Sequence, residues 1–331
     1  MSPARKKAKI AIYWLGACGG CDSAIVDLGG SLLELAEKVE IVLWPAVLDF
    51  KYDRIRSLAD NELALTIMSG CVRNSEHREM AELLRAKSRL VLACGACACF
   101  GGTPGLANLR QKGDIVSWVY GDAPTVVNPG GERPQPFCRV NGTELHLPRF
   151  YDHVHALHQS IEVDYYLPGC PPPVDLLLGA LSALLSGKLP HRGSTLAPQK
   201  PLCDSCPRAA SKPARLEIRT IHRCHEVEVD PTDCFLAKGV ICLGPATRGG
   251  CGGTCLAANT PCRGCFGPVE GVRDAGARFL SSLAALIAPE DDEKLRELLE
   301  AIADPAGYGC RFTQPVSILG ERSCPDDSEE E

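Results

Sequence analysis

Cysteine is the residue type in this chain with the greatest capacity for chemistry, at 19 copies among 331 residues. Thiolates bind metal ions and iron–sulfur clusters, and glycines beside them let the backbone come close to such groups. A secreted disulfide scaffold would be shorter and would usually have an even number of cysteines. We therefore interpret these residues as metal ligands in a reducing compartment.

Four cysteines of the first half lie in three loops, GACGGC, CGACACFGG and PGCPPP, each of which follows a predicted strand: Cys18, Cys21, Cys97 and Cys170. Ligands of open parallel sheets bind outside the carboxyl ends of the strands, so we expect these thiols to lie together. Three other interpretations stay open: buried cysteines that only pack, a phosphate-binding loop and a mononuclear zinc site. The chain has no G-x-G-x-x-G or Walker-type motif to support a phosphate loop.

The second half is denser in cysteine and contains eight candidate ligands: Cys203, Cys206, Cys234, Cys242, Cys251, Cys255, Cys262 and Cys265. Two C-x2-C pairs among them are compatible with a zinc ribbon. Eight thiolates make two four-thiolate sites, and the first half supplies a third. Three such sites in one chain favour electron transfer through iron–sulfur clusters over structural zinc.

Short apolar runs alternate with helical patterns in the first half, which predicts βαβ units and a parallel sheet in an α/β fold. A helix is expected from the first loop to about Lys38, and another over 74–87. Residues 103–160 have no assignable pattern. The predicted strands are 9–15, 39–45, 62–70, 89–95 and 163–170.

A linker at 188–201 precedes residues 203–268, which show little periodicity and which we expect to lack an ordinary apolar core. Residues 272–303 return to helical spacing, and DDSEEE forms an acidic tail that we expect to be disordered. The predicted domains are an α/β domain at 1–190, a mostly irregular cysteine-rich domain at 200–270, and a helical segment with the acidic tail at 271–331.

Charge and hydropathy exclude two classes of partner. Lys plus Arg number 35 against 41 for Asp plus Glu, and no dense basic run offers a nucleic-acid surface. No apolar run reaches the ~20 residues of a membrane span, and 174–187 is typical of a packed helix. LGAC at 15–18 is similar to a lipoprotein cleavage box, but we interpret 9–15 as a buried strand and expect a cytoplasmic protein.

The motifs WLGACGGCDSA, CACFGG, PGCPPP and CFLAKGVICLGPATRGGC…PCRGCFGP resemble the small subunit of nickel–iron hydrogenases. The closest resemblance is to the cytoplasmic methyl-viologen-reducing type, which does not reduce the deazaflavin coenzyme and is associated with heterodisulfide reductase. It covers about residues 8–268. It implies a flavodoxin-like domain with a proximal 4Fe–4S cluster, followed by a tail with a medial and a distal cluster.

The resemblance divides the twelve cysteines into three sets. The proximal set is Cys18, Cys21, Cys97 and Cys170. The distal set is Cys203, Cys206, Cys234 and Cys242. The medial set is Cys251, Cys262 and Cys265, with Cys255 as the candidate fourth ligand.

This sequence departs from many relatives at two of these positions. Many relatives have a histidine where Cys203 stands, so an all-thiolate distal cluster of lower potential is expected here. Many also have a three-iron medial cluster, whereas Cys255 favours 4Fe–4S in this chain.

The chain has no recognisable nickel site and no predicted catalytic residue, because the family's nickel ligands lie on a separate large subunit. The resemblance therefore implies an electron-relay subunit that passes electrons from hydrogen oxidation to an iron–sulfur adaptor, heterodisulfide reductase or ferredoxin. Two alternatives are a quinone-reductase subunit related to complex I, which lacks a tail like 203–265, and a zinc-stabilised interaction module.

Several other cysteines, histidines and aromatic residues have no predicted role in the metal sites. Packing or a free thiol is the preferred interpretation for the remaining cysteines. A solvated or partner-facing loop is preferred over a metal site for four histidines. Trp14, Trp44 and Phe100 are expected to pack near the strand ends. The cysteines are 71, 94, 99, 138, 224, 310 and 324, and the histidines are 146, 153, 155 and 158.

Overall fold

A parallel five-stranded sheet organises the first half of the chain in the computed structural model, which describes residues 7–318. The strands are β1 Ala8–Trp14, β2 Val39–Leu43, β3 Leu65–Ser69, β5 Val91–Cys94 and β9 Tyr165–Leu167. Each predicted strand overlaps an observed one. The strand order is β2-β1-β3-β5-β9, which is the flavodoxin-like order, and this confirms the predicted α/β fold.

Helices cover both faces of this sheet because the buried strands are apolar on both sides. Along β1, Ile10 and Ile12 belong to one buried cluster, and Ala11 and Tyr13 belong to the other. The first face is covered by α1 Gly20–Val26, α2 Gly30–Lys38 and α7 Val174–Ser186. The second face is covered by α3 Tyr52–Arg56 and α4 Ser75–Lys87.

The helix boundaries follow local chemistry. Asn74 caps α4, since its side-chain oxygen accepts a hydrogen bond from the His77 N–H at 2.8 Å, and the helix predicted over 74–87 is confirmed. The single helix predicted up to Lys38 was wrong. It is divided into α1 and α2 at a turn that contains Gly29, a residue that costs about 1 kcal/mol in a helix interior.

Residues 103–160, for which the sequence shows no assignable pattern, fold against the edge of the α/β domain. A short strand after β3 pairs antiparallel with one of this region, and Asn141-Gly142 closes an exposed hairpin in the manner typical of that dipeptide. The elements of this region are α6 Lys112–Ser117, β6 Phe137–Val140, β7 Thr143–His146 and β8 Phe150–His155. Two elements precede it, namely β4 Val72–Asn74, which pairs with β8, and α5 Gly95–Phe100.

Part of the predicted linker pairs with the sheet. The Tyr166 N–H donates to Ser194 O at 3.1 Å, and the Leu196 N–H donates to Tyr166 O at 2.7 Å. Residues 194–196 therefore extend the sheet beside β9. The division into three domains stays a prediction.

The cysteine-rich region does have a buried apolar cluster, so the expectation that it lacks a core was wrong. Phe235 and Ile241 pack there with Phe279 and Leu283 of a following helix. These apolar residues lie on 3-10 turns and loops, which have no regular period, and a neighbouring helix completes the cluster. The helices of the second half are α8 Thr254–Ala257, α9 Ala275–Ala284, α10 Asp292–Glu300 and α11 Pro305–Gly309.

The end of the described chain returns to the first half. The Gly102 N–H donates to Phe312 O at 3.1 Å, and the Gln159 side chain donates to Pro315 O at 2.9 Å. Within residues 7–318, no helix has the length and apolar character needed to cross a bilayer. Cys324 and the acidic tail lie outside the described residues.

Candidate metal centres

The four cysteines of the proximal set meet at the carboxyl edge of the parallel sheet. Cys18 and Cys21 follow β1, Cys97 lies in α5 directly after β5, and Cys170 follows β9. The pKa of the Cys97 thiol is raised to about 12, mainly by burial. Other members of the set add to this shift, namely Cys170, Cys21 and Cys18. The structure thus brings the whole set together.

Two glycines leave room for sulfur atoms of the proximal set. Gly95 has φ +87°, and a Cβ atom there would collide with the Cys21 sulfur. A Cβ at Gly102 would collide in the same way with the Cys97 sulfur. Only glycine fits both the backbone conformation and the close approach at these positions. The loops are therefore shaped around the sulfur atoms.

Two further thiols adjoin the proximal set. A hydrogen bond with Cys94 is the largest cause of a pKa far above the ordinary value for Cys21, and burial is the next. Cys71 is buried, donates its S–H to Gly16 O at 3.2 Å and contributes to the raised pKa of Cys97. The C-x2-C spacing of Cys94 and Cys97 is the only sequence signal that marked either thiol.

The distal set is gathered around Gly244. A Cβ atom added to Gly244 would lie 3.2 Å from the Cys203 sulfur and 3.7 Å from the Cys242 sulfur. The pKa of Cys203 is raised to about 12, first by burial and then by its neighbours Cys242, Cys206 and Cys234, while Lys212 opposes this shift. These four thiols are mutual neighbours, as the resemblance implies.

The medial set lies on the loop 251–265 and on α8. The pKa of Cys265 is raised to about 12, by burial first and then by Cys251, Cys170 and Cys255. Cys255 is therefore close to Cys265, although its side chain is exposed. Burial also raises the pKa of Cys262, against hydrogen bonds from the Gly264 backbone and the Thr247 side chain.

The three sets adjoin in the order proximal, medial, distal. Cys170 of the proximal set is a neighbour of Cys265 and contributes to its raised pKa. At the other side, Cys242 contributes to the raised pKa of Cys262, and the N–H of Leu243, next to Cys242, donates to Cys262 O at 3.0 Å. The three sets of thiols therefore follow one another in a continuous series.

The residues present fit iron–sulfur clusters in donor chemistry. Thiolate is the ligand of such clusters, and N–H groups directed at the sulfurs tune their potentials. Every cysteine between residues 7 and 318 is a free thiol. Over the same residues, no three His, Cys, Asp or Glu side chains converge tightly enough to hold a single metal ion. A four-iron cluster holds its thiolates farther apart than one zinc ion does, so this result leaves the cluster interpretation open.

A buried carboxylate beside the proximal set carried no signal in the sequence. Asp22 directly follows Cys21, accepts a hydrogen bond from the Trp44 indole N–H at 2.9 Å and another from the Ser69 hydroxyl at 3.2 Å. Trp44 is buried as expected, whereas Trp14 is 46% exposed and lies over Gly19. Asp22 thus fixes the start of α1, which carries Cys21.

The remaining cysteines and histidines are dispersed. Cys99 and Cys310 are buried, while Cys138 and Cys224 are exposed. The Nε2 atom of His146 lies 2.8 Å from a carboxylate oxygen of Glu144 in the exposed hairpin. The other three histidines follow along β8 and the next turn: His153, His155 and His158.

Comparison with known proteins places this chain among hydrogenase subunits. The family model described as NADH ubiquinone oxidoreductase, 20 Kd subunit, matches residues 18–184. The chain is 39% identical to the iron-sulfur subunit of the F420-non-reducing hydrogenase of Archaeoglobus profundus, over 86% of this chain and 89% of that protein. It is 35% identical to an F420-non-reducing hydrogenase subunit of Methanothermobacter thermautotrophicus, over 95% of this chain and 96% of that protein.

A solved structure supports the fold. A chain of the recombinant NiFeSe hydrogenase of Desulfovibrio vulgaris Hildenborough aligns with a TM-score of 0.51 and 16% identity, over 81% of this chain and 96% of that chain. At this identity the likeness concerns the fold alone.

Proposed function

Because this chain belongs to the family of the iron–sulfur subunits of F420-non-reducing hydrogenases, we propose that it relays electrons between a nickel–iron large subunit and an iron–sulfur acceptor. It is an electron-transfer subunit of a hydrogenase, which is an oxidoreductase complex. The acceptor proposed is an iron–sulfur adaptor of heterodisulfide reductase, or ferredoxin. The cytoplasmic location stays a prediction.

The observation that carries the proposal is the continuous series of twelve thiols. We propose that the proximal, medial and distal sets each hold one 4Fe–4S cluster, and that the nickel–iron site lies on the partner subunit. Bound clusters would supply one-electron carriers. The chain's own residues cover nine of these thiols partly or fully, direct the Arg208 N–H at the Cys206 sulfur and fix the order of the three sets.

A direct test is purification of the chain with its large subunit, followed by assay of hydrogen-dependent viologen reduction. The proposal expects activity together with about twelve irons per copy of this chain. An inactive complex with intact metal content would reject the relay function. Zinc without iron or sulfide would support the interaction module instead.

The complex I-related alternative agrees with the family model over residues 18–184 but accounts for only the proximal set. The relatives of hydrogenase type extend through the cysteine-rich half, since the alignment with the Methanothermobacter thermautotrophicus subunit covers 95% of this chain. The hydrogenase proposal is preferred because it uses all twelve thiols.

Replacing Cys255 with alanine is expected to convert the medial cluster from four irons to three, because the exposed Cys255 thiol is the proposed ligand of the fourth iron. Iron analysis and electron paramagnetic resonance of the oxidised complex would detect the lost iron and a new three-iron signal. Cys224→Ala is the matched control, since Cys224 is also exposed but belongs to no set. Identical iron content and spectra in the two variants would remove Cys255 from the medial site.

Replacing Cys203 with histidine is expected to raise the reduction potential of the distal cluster, because a neutral imidazole in place of a thiolate makes the cluster less negative. A potentiometric titration followed by electron paramagnetic resonance would measure the change. The exposed Cys224→His substitution serves as the control. A distal potential that stays the same or falls would contradict the ligand assignment.

A further inference from the structure

Arg208 is a buried cation located between two of the cysteine sets. Only 2% of its surface is exposed, although it lies in a cysteine-rich segment made of turns. Its backbone N–H faces the sulfur of Cys206 at 3.4 Å, within the distal set. The sequence offered no signal for it, since a single arginine in an irregular segment is ordinarily solvated.

Five hydrogen bonds hold the guanidinium, and their four acceptor atoms are all neutral. The carbonyl oxygen of Leu256 accepts two of them at 3.1 and 3.0 Å, and the side-chain oxygen of Asn259 accepts one at 2.6 Å. The carbonyl oxygens of Asp230 and Asp233 accept the remaining two at 3.0 and 2.8 Å. The group also lies 4.3 Å from the ring centroid of Phe235.

These contacts join the medial and distal sets. Leu256 directly follows Cys255, and Asp233 directly precedes Cys234. The Arg208 charge is therefore anchored to the backbone beside a candidate ligand of each set. The pKa of the Asp230 carboxyl group is lowered mainly by hydrogen bonds from Thr232 and to a smaller extent by the Arg208 charge. This carboxylate is exposed and does not accept a hydrogen bond from the guanidinium.

A buried guanidinium without a carboxylate among its hydrogen-bond acceptors is unfavourable unless another negative charge compensates it. A four-iron cluster with four thiolates is anionic, and it becomes more negative when it takes up an electron. Two such groups would supply the missing compensation.

We propose that Arg208 is a positioning residue whose buried positive charge raises the reduction potentials of the distal and medial clusters, with the larger effect on the distal one. A fixed cation stabilises the reduced, more negative form of a nearby cluster, and burial limits its screening by solvent and salt. The inference rests on the proposed function, because it assumes that clusters occupy these two sets.

The test compares Arg208→Gln with Arg208→Lys in the intact hydrogenase complex, by potentiometric titration with electron paramagnetic resonance. The glutamine variant is expected to shift the distal potential to more negative values, whereas the lysine variant, which keeps the charge, stays near the unmodified protein. The proximal potential should not move and serves as the internal reference. An unchanged distal potential in Arg208→Gln, or equal shifts in both variants, would overturn the proposal.

Asn259→Asp keeps the test decisive if Arg208→Gln loses its structure. Aspartate has nearly the same shape as asparagine and keeps an oxygen that accepts from the guanidinium. It also adds a negative charge directly beside the Arg208 guanidinium. It is expected to lower the distal potential in the same direction, and no shift would overturn the role of charge. If the unmodified complex gave no cluster signals, the proposed function itself would fail before either variant was compared.

Discussion

Replacing Cys97 with alanine is expected to remove about four of the about twelve irons of the chain. Hydrogen-dependent viologen reduction is expected to fall by more than ~100-fold, because the loss of a residue that only hydrogen-bonds to a metal ligand already costs up to that factor. Cys97 is half-buried and is a neighbour of the other three thiols of the proximal set, so its loss leaves that cluster with an open ligand position. Iron analysis and the viologen assay on the purified complex would measure the two effects.

Cys99→Ala is the control for this prediction, because Cys99 lies on the same short helix and is fully buried. Its S–H donates to the carbonyl oxygen of Ala93 at 3.4 Å, and it belongs to none of the three sets. The control is expected to keep its iron and its activity. Equal losses in both variants would mean that α5 is sensitive to any change and that Cys97 has no special role.

Replacing Asp164 with alanine is expected to lower the free energy of unfolding by about 3–5 kcal/mol, as for other buried ion pairs that lose one partner. The fully buried carboxylate forms ion pairs with Arg85 at 2.6 Å and Arg192 at 3.0 Å. It also accepts the Val91 N–H at 2.8 Å at the start of β5. Its removal would leave both a charge and a backbone donor without their partner.

Urea unfolding followed by circular dichroism would measure this loss. Asp60→Ala is the control, because Asp60 forms an ion pair with Lys87 at 2.9 Å while 71% of its side chain is exposed. Surface pairs of this kind contribute about 0–1 kcal/mol. Similar small losses in the two variants would contradict the structural importance given to Asp164.

The sequence alone predicted the sheet and its ligand-bearing loops because both depend on local signals. Buried apolar runs such as 9–15 and 89–95 predict strands. Cys18 comes after the first predicted strand and Cys170 comes at the end of the fifth, and each has a glycine beside it. The parallel order of the strands then brings the loops to one edge. For these parts of the molecule, short-range pattern and topology were sufficient.

Other features depend on contacts between distant residues, and the sequence could not reveal them. The adjacency of Cys170 with Cys265 joins residues almost a hundred positions apart. The core around Phe235 needs α9 from beyond the cysteine-rich region, and Arg208 gains its acceptors from residues 230–259. No periodicity marks such contacts, because they are made by turns and loops rather than by regular elements.

The most direct test of the account is iron and sulfide quantitation together with electron paramagnetic resonance of the anaerobically purified, reduced protein in its complex. The account predicts about twelve irons per copy of this chain and three interacting 4Fe–4S signals. A colourless chain without iron or acid-labile sulfide would contradict it, since the twelve thiols would then bind no clusters.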